Sequence, residues 1–170
     1  MKAHSVNAGN FHEALPDISR CVREAQQEVG TQLHLPSEEV FLTENCHAVS
    51  PLAVDKLLAL GWAATLDTRH TPGLIIHEYV RFPDGDRDDE IIADGTWGQF
   101  VESKNVFDGT PTALIGTRLD VINMAIRLGI SKSSPAIGCW RSPSDADAIP
   151  RVQNYSEHLA VEHIRALLDE

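Results

Sequence analysis

The chain is predicted to be an α+β protein with an antiparallel β-sheet packed against helices, on three observations. Apolar residues recur at helical spacing through Ile18, Val22, Ala25 and Val29, and again across residues 119–128. Residues 74–82 form a β-branched and aromatic run, followed by turn residues 83–89 and a second short apolar run ending at Asp94, the pattern of a β-hairpin. No internal repeat or low-complexity linker interrupts the 170 residues, so 1–170 is expected to form a single domain.

Taken in order, residues 1–14 lack periodicity and are expected to be a flexible arm. The first helix is expected from Asp17, with Gly30 at its end. Residues 33–42 are broken by Pro36, after which Ser37 suits the cap of a short turn. A second helix is expected within residues 46–60, where Leu52, Val54, Leu57, Leu58 and Leu60 give a broad apolar surface and Gly61 a stop. Pro51 leaves two starts open. Either Ser50 caps a helix beginning at Pro51, or the helix starts near Cys46 and Pro51 bends its second turn. After the hairpin comes the 119–128 helix, halted by Gly129. Residues 131–150 read as a loop because of Pro135, Gly138, Pro143 and Pro150, and a last helix opens at Ser156.

The charge balance narrows the partners. Acidic residues outnumber basic ones 25 to 14, for a formal charge of −11. Such a field repels phosphate backbones and anionic lipid, so neither nucleic acid nor a membrane surface is expected as a partner. No apolar run approaches the roughly 20 residues a bilayer span requires. The first residues lack a secretory apolar region, so a cytoplasmic location is expected, although export by a signal-independent route would leave no trace. Cysteines stand at 21, 46 and 139, a spacing that makes neither a disulfide framework nor a CxxC metal site.

A cysteine nucleophile needs a thiolate, a base, and a group that orients the base. A helix N-terminus favours the thiolate, because its unpaired N–H groups and macrodipole attract negative charge. Cys46 stands at such a start, Cys21 lies within a helical pattern, and Cys139 lies in the loop-like stretch beside Trp140. If the hairpin turns between Gly85 and Asp86, His77 faces Asp94, close enough for the carboxylate to hold one imidazole nitrogen. His47 adjoins Cys46 and is expected to be a surface or capping residue. Metal patterns are incomplete. His77-Glu78 lacks the second histidine of HExxH, position 81 being Arg, and Asp84, Asp86 and Asp88 lack the Gly and Glu that complete a calcium loop.

Asn45-Cys46-His47, then His77-Glu78-Tyr79-Val80, then Ile91-Ile92-Ala93-Asp94-Gly95-Thr96-Trp97-Gly98-Gln99-Phe100 resembles the papain-like and transglutaminase-like cysteine enzymes. The likeness is to their short bacterial members, such as protein-glutamine deamidase effectors and papain-like toxin domains, and covers about residues 40–101. It implies a papain-like or transglutaminase-like core, with Cys46 as nucleophile, His77 as general base and then acid, and Asp94 as the orienting carboxylate. Two departures stand out. Gly95 replaces the usual Pro, and no Gln stands just upstream of the nucleophile, Gln32 being the nearest. Asn45 or the backbone N–H of Cys46 is left to bind the oxyanion. Asn45, Trp97 and Gln99 are the candidate oxyanion or substrate-binding residues, with Trp97 and Phe100 equally readable as core.

The expected function is a cysteine-dependent amide hydrolase or acyltransferase (deamidase, peptidase or transglutaminase-like) that works through a thioester. It would act on a protein or a small amide or acyl substrate, and no cofactor or metal is expected. The alternatives are a non-catalytic binding module with a residual papain-like core, and a metal-dependent hydrolase.

Overall fold

The computed structural model describes residues 3–42, 44–70, 76–84, 89–101 and 109–142. Helix α1 spans Phe11–Leu33, α2 Ser37–Val40 and α3 Cys46–Ala59. Strands β1 (Thr65–His70), β2 (Ile76–Arg81) and β3 (Ile91–Asp94) follow, then a 3-10 turn at Trp97–Phe100, strand β4 (Leu114–Thr117), and helices α4 (Arg118–Arg127) and α5 (Pro135–Trp140). The strands form one antiparallel sheet in the order β1-β2-β3-β4. The helix expected from Ser156 lies outside the described residues.

Both faces of the sheet are covered. Alternate residues of a strand point to opposite faces, and here each set meets its own apolar cluster. Val80, Phe82, Ile91 and Ala93 join Ile18, Val22 and Ala25 of α1 and Val49, Ala53 and Leu57 of α3. Tyr79, Ile92 and Leu114 join Val121 and Ala125 of α4 and Ala136, Ile137 and Trp140 of α5, together with Trp97. Among the described residues no helix is long and apolar enough to cross a membrane.

Several boundaries differ from those expected. Residues 3–10 are not a free arm. His4 forms a bridge with Trp62, donating to the Gly61 carbonyl at 2.7 Å and accepting from the Ala63 N–H at 2.8 Å, and Val6 is fully buried. Helix α1 begins at Phe11 rather than Asp17, because Ala14 extends the buried stripe one turn upstream across Pro16. It also continues past Gly30 to a left-handed cap at His34. Of the two starts open to α3, the structure takes Cys46, with Pro51 inside the helix. The 131–150 segment is not all loop, since Ser134 caps α5 with Pro135 at its first position. Helix α4 is closed at its head by a capping box in which Thr117 and Asp120 bond each other's backbone N–H.

The polar centre of the α4–α5 side is a buried ionic cluster. Arg118 opens α4 and is wholly buried. Its Nε and Nη2 donate to Glu90 at 2.8 and 2.6 Å, Nη2 to Asp67 at 2.9 Å, and Nη1 to the Tyr79 hydroxyl at 2.8 Å and the Trp140 carbonyl at 3.1 Å. One guanidinium thus joins β1, β2, the start of β3, α4 and α5. Removing one member of such a set leaves uncompensated buried charge. Arg118→Met is therefore expected to destabilise the fold by about 3–5 kcal/mol, read as a lowered urea midpoint.

Candidate active site

Helix α3 begins at Cys46, with Asn45 at its N-cap, and the first turn is fastened to β2 by the Ser50 hydroxyl, which donates to the Glu78 carbonyl at 2.8 Å. Cys46 is 2% exposed. Burial pushes its thiol up, but hydrogen bonds with the His47 and His77 side chains, the His77 charge and a hydrogen bond to the Glu78 backbone overcome this and pull it down to about 7. The other two thiols go the opposite way. Burial raises Cys139 to about 12, helped by the nearby Asp94 charge, and burial with the Glu24 charge raises Cys21. Only Cys46 is electrostatically prepared to be a nucleophile.

His77 lies on β2 with its Nε2 2.5 Å from Asp94 Oδ2 on β3. The expected register is displaced. Val80 pairs with Ala93 and Arg81 with Ile92, and continuing that pairing sets Asp94 opposite Tyr79 rather than His77. The turn expected at Gly85–Asp86 lies outside the described residues. Because the shift is two residues, the side-chain face is kept, and His77 meets Asp94 diagonally.

Asp94 is fully partnered although wholly buried. Its Oδ2 also accepts from the Trp140 indole Nε1 at 2.8 Å, and its Oδ1 from the Thr96 backbone N–H at 2.9 Å and, more weakly, the Thr96 hydroxyl at 3.4 Å. These donors replace the water that burial removes. Burial acts to lower the His77 pKa, but the Asp94 charge and hydrogen bond, reinforced by Cys46, raise it to about 10. Nε2 is committed to Asp94 and Nδ1 is bonded by Gln99, so proton exchange between Nδ1 and Cys46 requires the Gln99 amide to give way.

Gln99 reaches that nitrogen. Its side-chain amide lies 2.7 Å from His77 Nδ1. An amide serves either state of the ring, donating through Nε2 to a neutral imidazole or accepting through Oε1 from an imidazolium. Phe100 stands edge-on to the ring with centroids 4.8 Å apart. Gln99 and Phe100 are half-buried whereas Trp140 and Tyr79, which also touch the ring, are fully buried, so the 3-10 turn lies between His77 and solvent.

The other candidates are placed as follows. Asn45 is half-buried at the head of α3, where its carbonyl accepts from the Ala48 and Val49 N–H groups at 3.0 and 2.9 Å. Trp97 is fully buried and packs on Phe41, its indole donating to the Pro111 carbonyl at 3.0 Å, so it is core rather than pocket lining. His47 is not a surface residue. It is half-buried and bonds the Cys46 thiol. Gln26 of α1 reaches the turn after β3. It is committed to structure, its Nε2 donating to the Gly95 and Thr112 carbonyls, each at 2.8 Å. Among the described residues no three His, Cys, Asp or Glu side chains are grouped to hold a metal ion.

No family model matches the chain, and neither does any curated protein or solved structure. The site's chemistry therefore rests on its own geometry. Sequence reasoning missed Trp140 and Arg118. The indole N–H of Trp140 closes the fourth contact on Asp94, and Arg118 anchors the α5 carbonyls that hold Trp140 in place.

If Asp94 sets the protonation of the pair, its charge is what keeps the Cys46 thiol near 7. Iodoacetamide labelling of Cys46 is expected to follow a midpoint near pH 7. In Asp94→Asn the midpoint should move upward towards the ordinary thiol value of 9.0 as His77 loses its proton more readily. An unchanged midpoint in Asp94→Asn would show that the carboxylate does not tune the thiol.

Proposed function

We propose that the protein is a cysteine-dependent amide hydrolase or acyltransferase with a papain-like or transglutaminase-like core. The observation that carries this reading is a buried thiol lowered to about 7 beside an imidazole raised to about 10 and held by a carboxylate. Between those values the pair exists as thiolate and imidazolium. That is the state acyl transfer to sulfur requires, a nucleophile with a general acid beside it.

The chemistry follows from the positions. The Cys46 thiolate attacks the substrate carbonyl, and the backbone N–H of Cys46 at the head of α3 is the donor offered to the developing oxyanion. The His77 Nδ1 proton passes to the leaving amine as the carbon–nitrogen bond breaks, leaving a thioester on Cys46. Neutral His77 then takes a proton from water or an incoming amine, which attacks the thioester and frees the thiol. Asp94 keeps Nε2 protonated throughout, so Nδ1 alone exchanges protons. The first step needs the imidazolium and the thiolate together. Turnover should therefore rise with pH through about 7 and fall again through about 10.

A non-catalytic binding module remains the rival from another class, favoured by one observation: Cys46, His77 and Asp94 are all buried. Acylation separates the two. Incubation with an activated aryl ester is expected to leave an acyl group on Cys46, seen as an intact-mass increment absent in Cys46→Ala. Asp94→Asn should slow the step by on the order of 10³–10⁴-fold. A Cys46→Ala variant that turned over the ester at the full rate would refute the proposal. A wild-type protein that never acylates would support the binding module.

A further inference from the structure

Arg69 is a buried cation beside the site whose bonding is incomplete. It lies on β1 and is 2% exposed, yet only its Nε has a partner, donating to Asp67 Oδ2 at 3.1 Å. Both terminal nitrogens, Nη1 and Nη2, are buried without a hydrogen-bond partner. A buried guanidinium with its fork empty is costly, because those N–H groups have lost water and gained nothing. Its nearest carboxylates are shared. Asp67 offers the same oxygen to Arg118, and Glu90 is divided between Arg118 and Arg81. Among the buried guanidinium nitrogens of this cluster, Nη1 and Nη2 of Arg69 are the surplus donors.

The position of this surplus matters. Arg69 pairs directly with His77 in the β1–β2 register. Directly paired side chains share a face of the sheet, with Cβ atoms roughly 4.5–5.5 Å apart. Cys139 feels the charges of Asp94, Arg69 and Cys46 together, which puts the guanidinium and the thiol within electrostatic reach of one atom. Arg69 is as deeply buried as Cys46 and His77.

We infer that Arg69 forms a carboxylate-binding subsite beside the Cys46–His77 pair, and that the acyl substrate carries a free carboxylate within a few bonds of the carbonyl that Cys46 attacks. A planar carboxylate matches the two empty nitrogens, which it would take as a bidentate pair. The inference rests on the thioester reading above and adds a substrate class to it.

Iodoacetate and iodoacetamide test it. Each alkylates a thiolate with loss of iodide, and they differ in carrying a carboxylate or a neutral amide. The ratio of their rates at Cys46 is expected to fall at least about tenfold from wild type to Arg69→Met, the worth of one charge-assisted contact, with Arg69→Lys between. His77 is present in all three proteins, so its own attraction for iodoacetate cancels in the comparison. In wild-type protein, acetate should slow iodoacetamide labelling saturably while acetamide does not, a readout that does not need the variant to fold. An unchanged ratio in a folded Arg69→Met, or no protection by acetate, overturns the subsite, the second result indicating that the chain itself fills the guanidinium. Either outcome leaves the nucleophile intact if iodoacetamide still labels Cys46 with a midpoint near pH 7. A Cys46 that resists both reagents removes the thioester reading and the subsite with it.

Discussion

Asp94 is the group on which the site depends. A carboxylate with no exposed surface needs donors in place of its water, and four serve it: His77, Trp140 and two groups of Thr96. Those donors come from β2, from α5 and from the turn after β3. The bonds that satisfy Asp94 are thus the bonds that hold three elements together. His77 keeps its proton because of that charge, and Cys46 loses its proton because of His77. The order of causes runs from the carboxylate outward to the sulfur.

The second polar centre supports the first. Arg118 binds Asp67 and Glu90 while donating to the Tyr79 hydroxyl and the Trp140 carbonyl. Tyr79 in turn donates to the Cys139 carbonyl at 2.6 Å. Helix α5 spans only Pro135–Trp140 and is too short to be stable alone. These bonds to its last carbonyls fix its orientation and so aim the Trp140 indole at Asp94. Structural and chemical roles are divided between the two clusters. The arginine cluster positions, and the Cys46–His77–Asp94 group exchanges protons.

Much of this was legible in the residues. The period of two along 74–82 and 90–94 put His77 and Asp94 on one face, and an error of two residues in register left that face unchanged. A helix within residues 46–60 followed from the apolar run, while Pro51 left its start open between Cys46 and Pro51 until the structure placed it at Cys46. What escaped notice has a common physical cause. Strand β1, Thr-Leu-Asp-Thr-Arg-His, points Asp67 and Arg69 inward, so its alternation carries charge where a core face carries apolar residues. Asp67 is paired with Arg118, far away in the chain, and no local pattern announces such pairing. His47 misled for the opposite reason, because adjacency on an ideal helix takes no account of a thiol at the helix mouth. Helix α5 was hidden by Pro135 and Gly138, which mark a helix start as readily as a loop.

The central claim is that one thiol of three is held near neutrality by a carboxylate-anchored imidazole. Ultraviolet titration of thiolate absorbance, taken as the difference between wild type and Cys46→Ala, measures this without a substrate or an alkylating reagent. The difference should show one thiolate forming with a midpoint near pH 7. A midpoint at or above 9.0, the ordinary value for a cysteine, would mean that the sulfur and the imidazole do not share a proton.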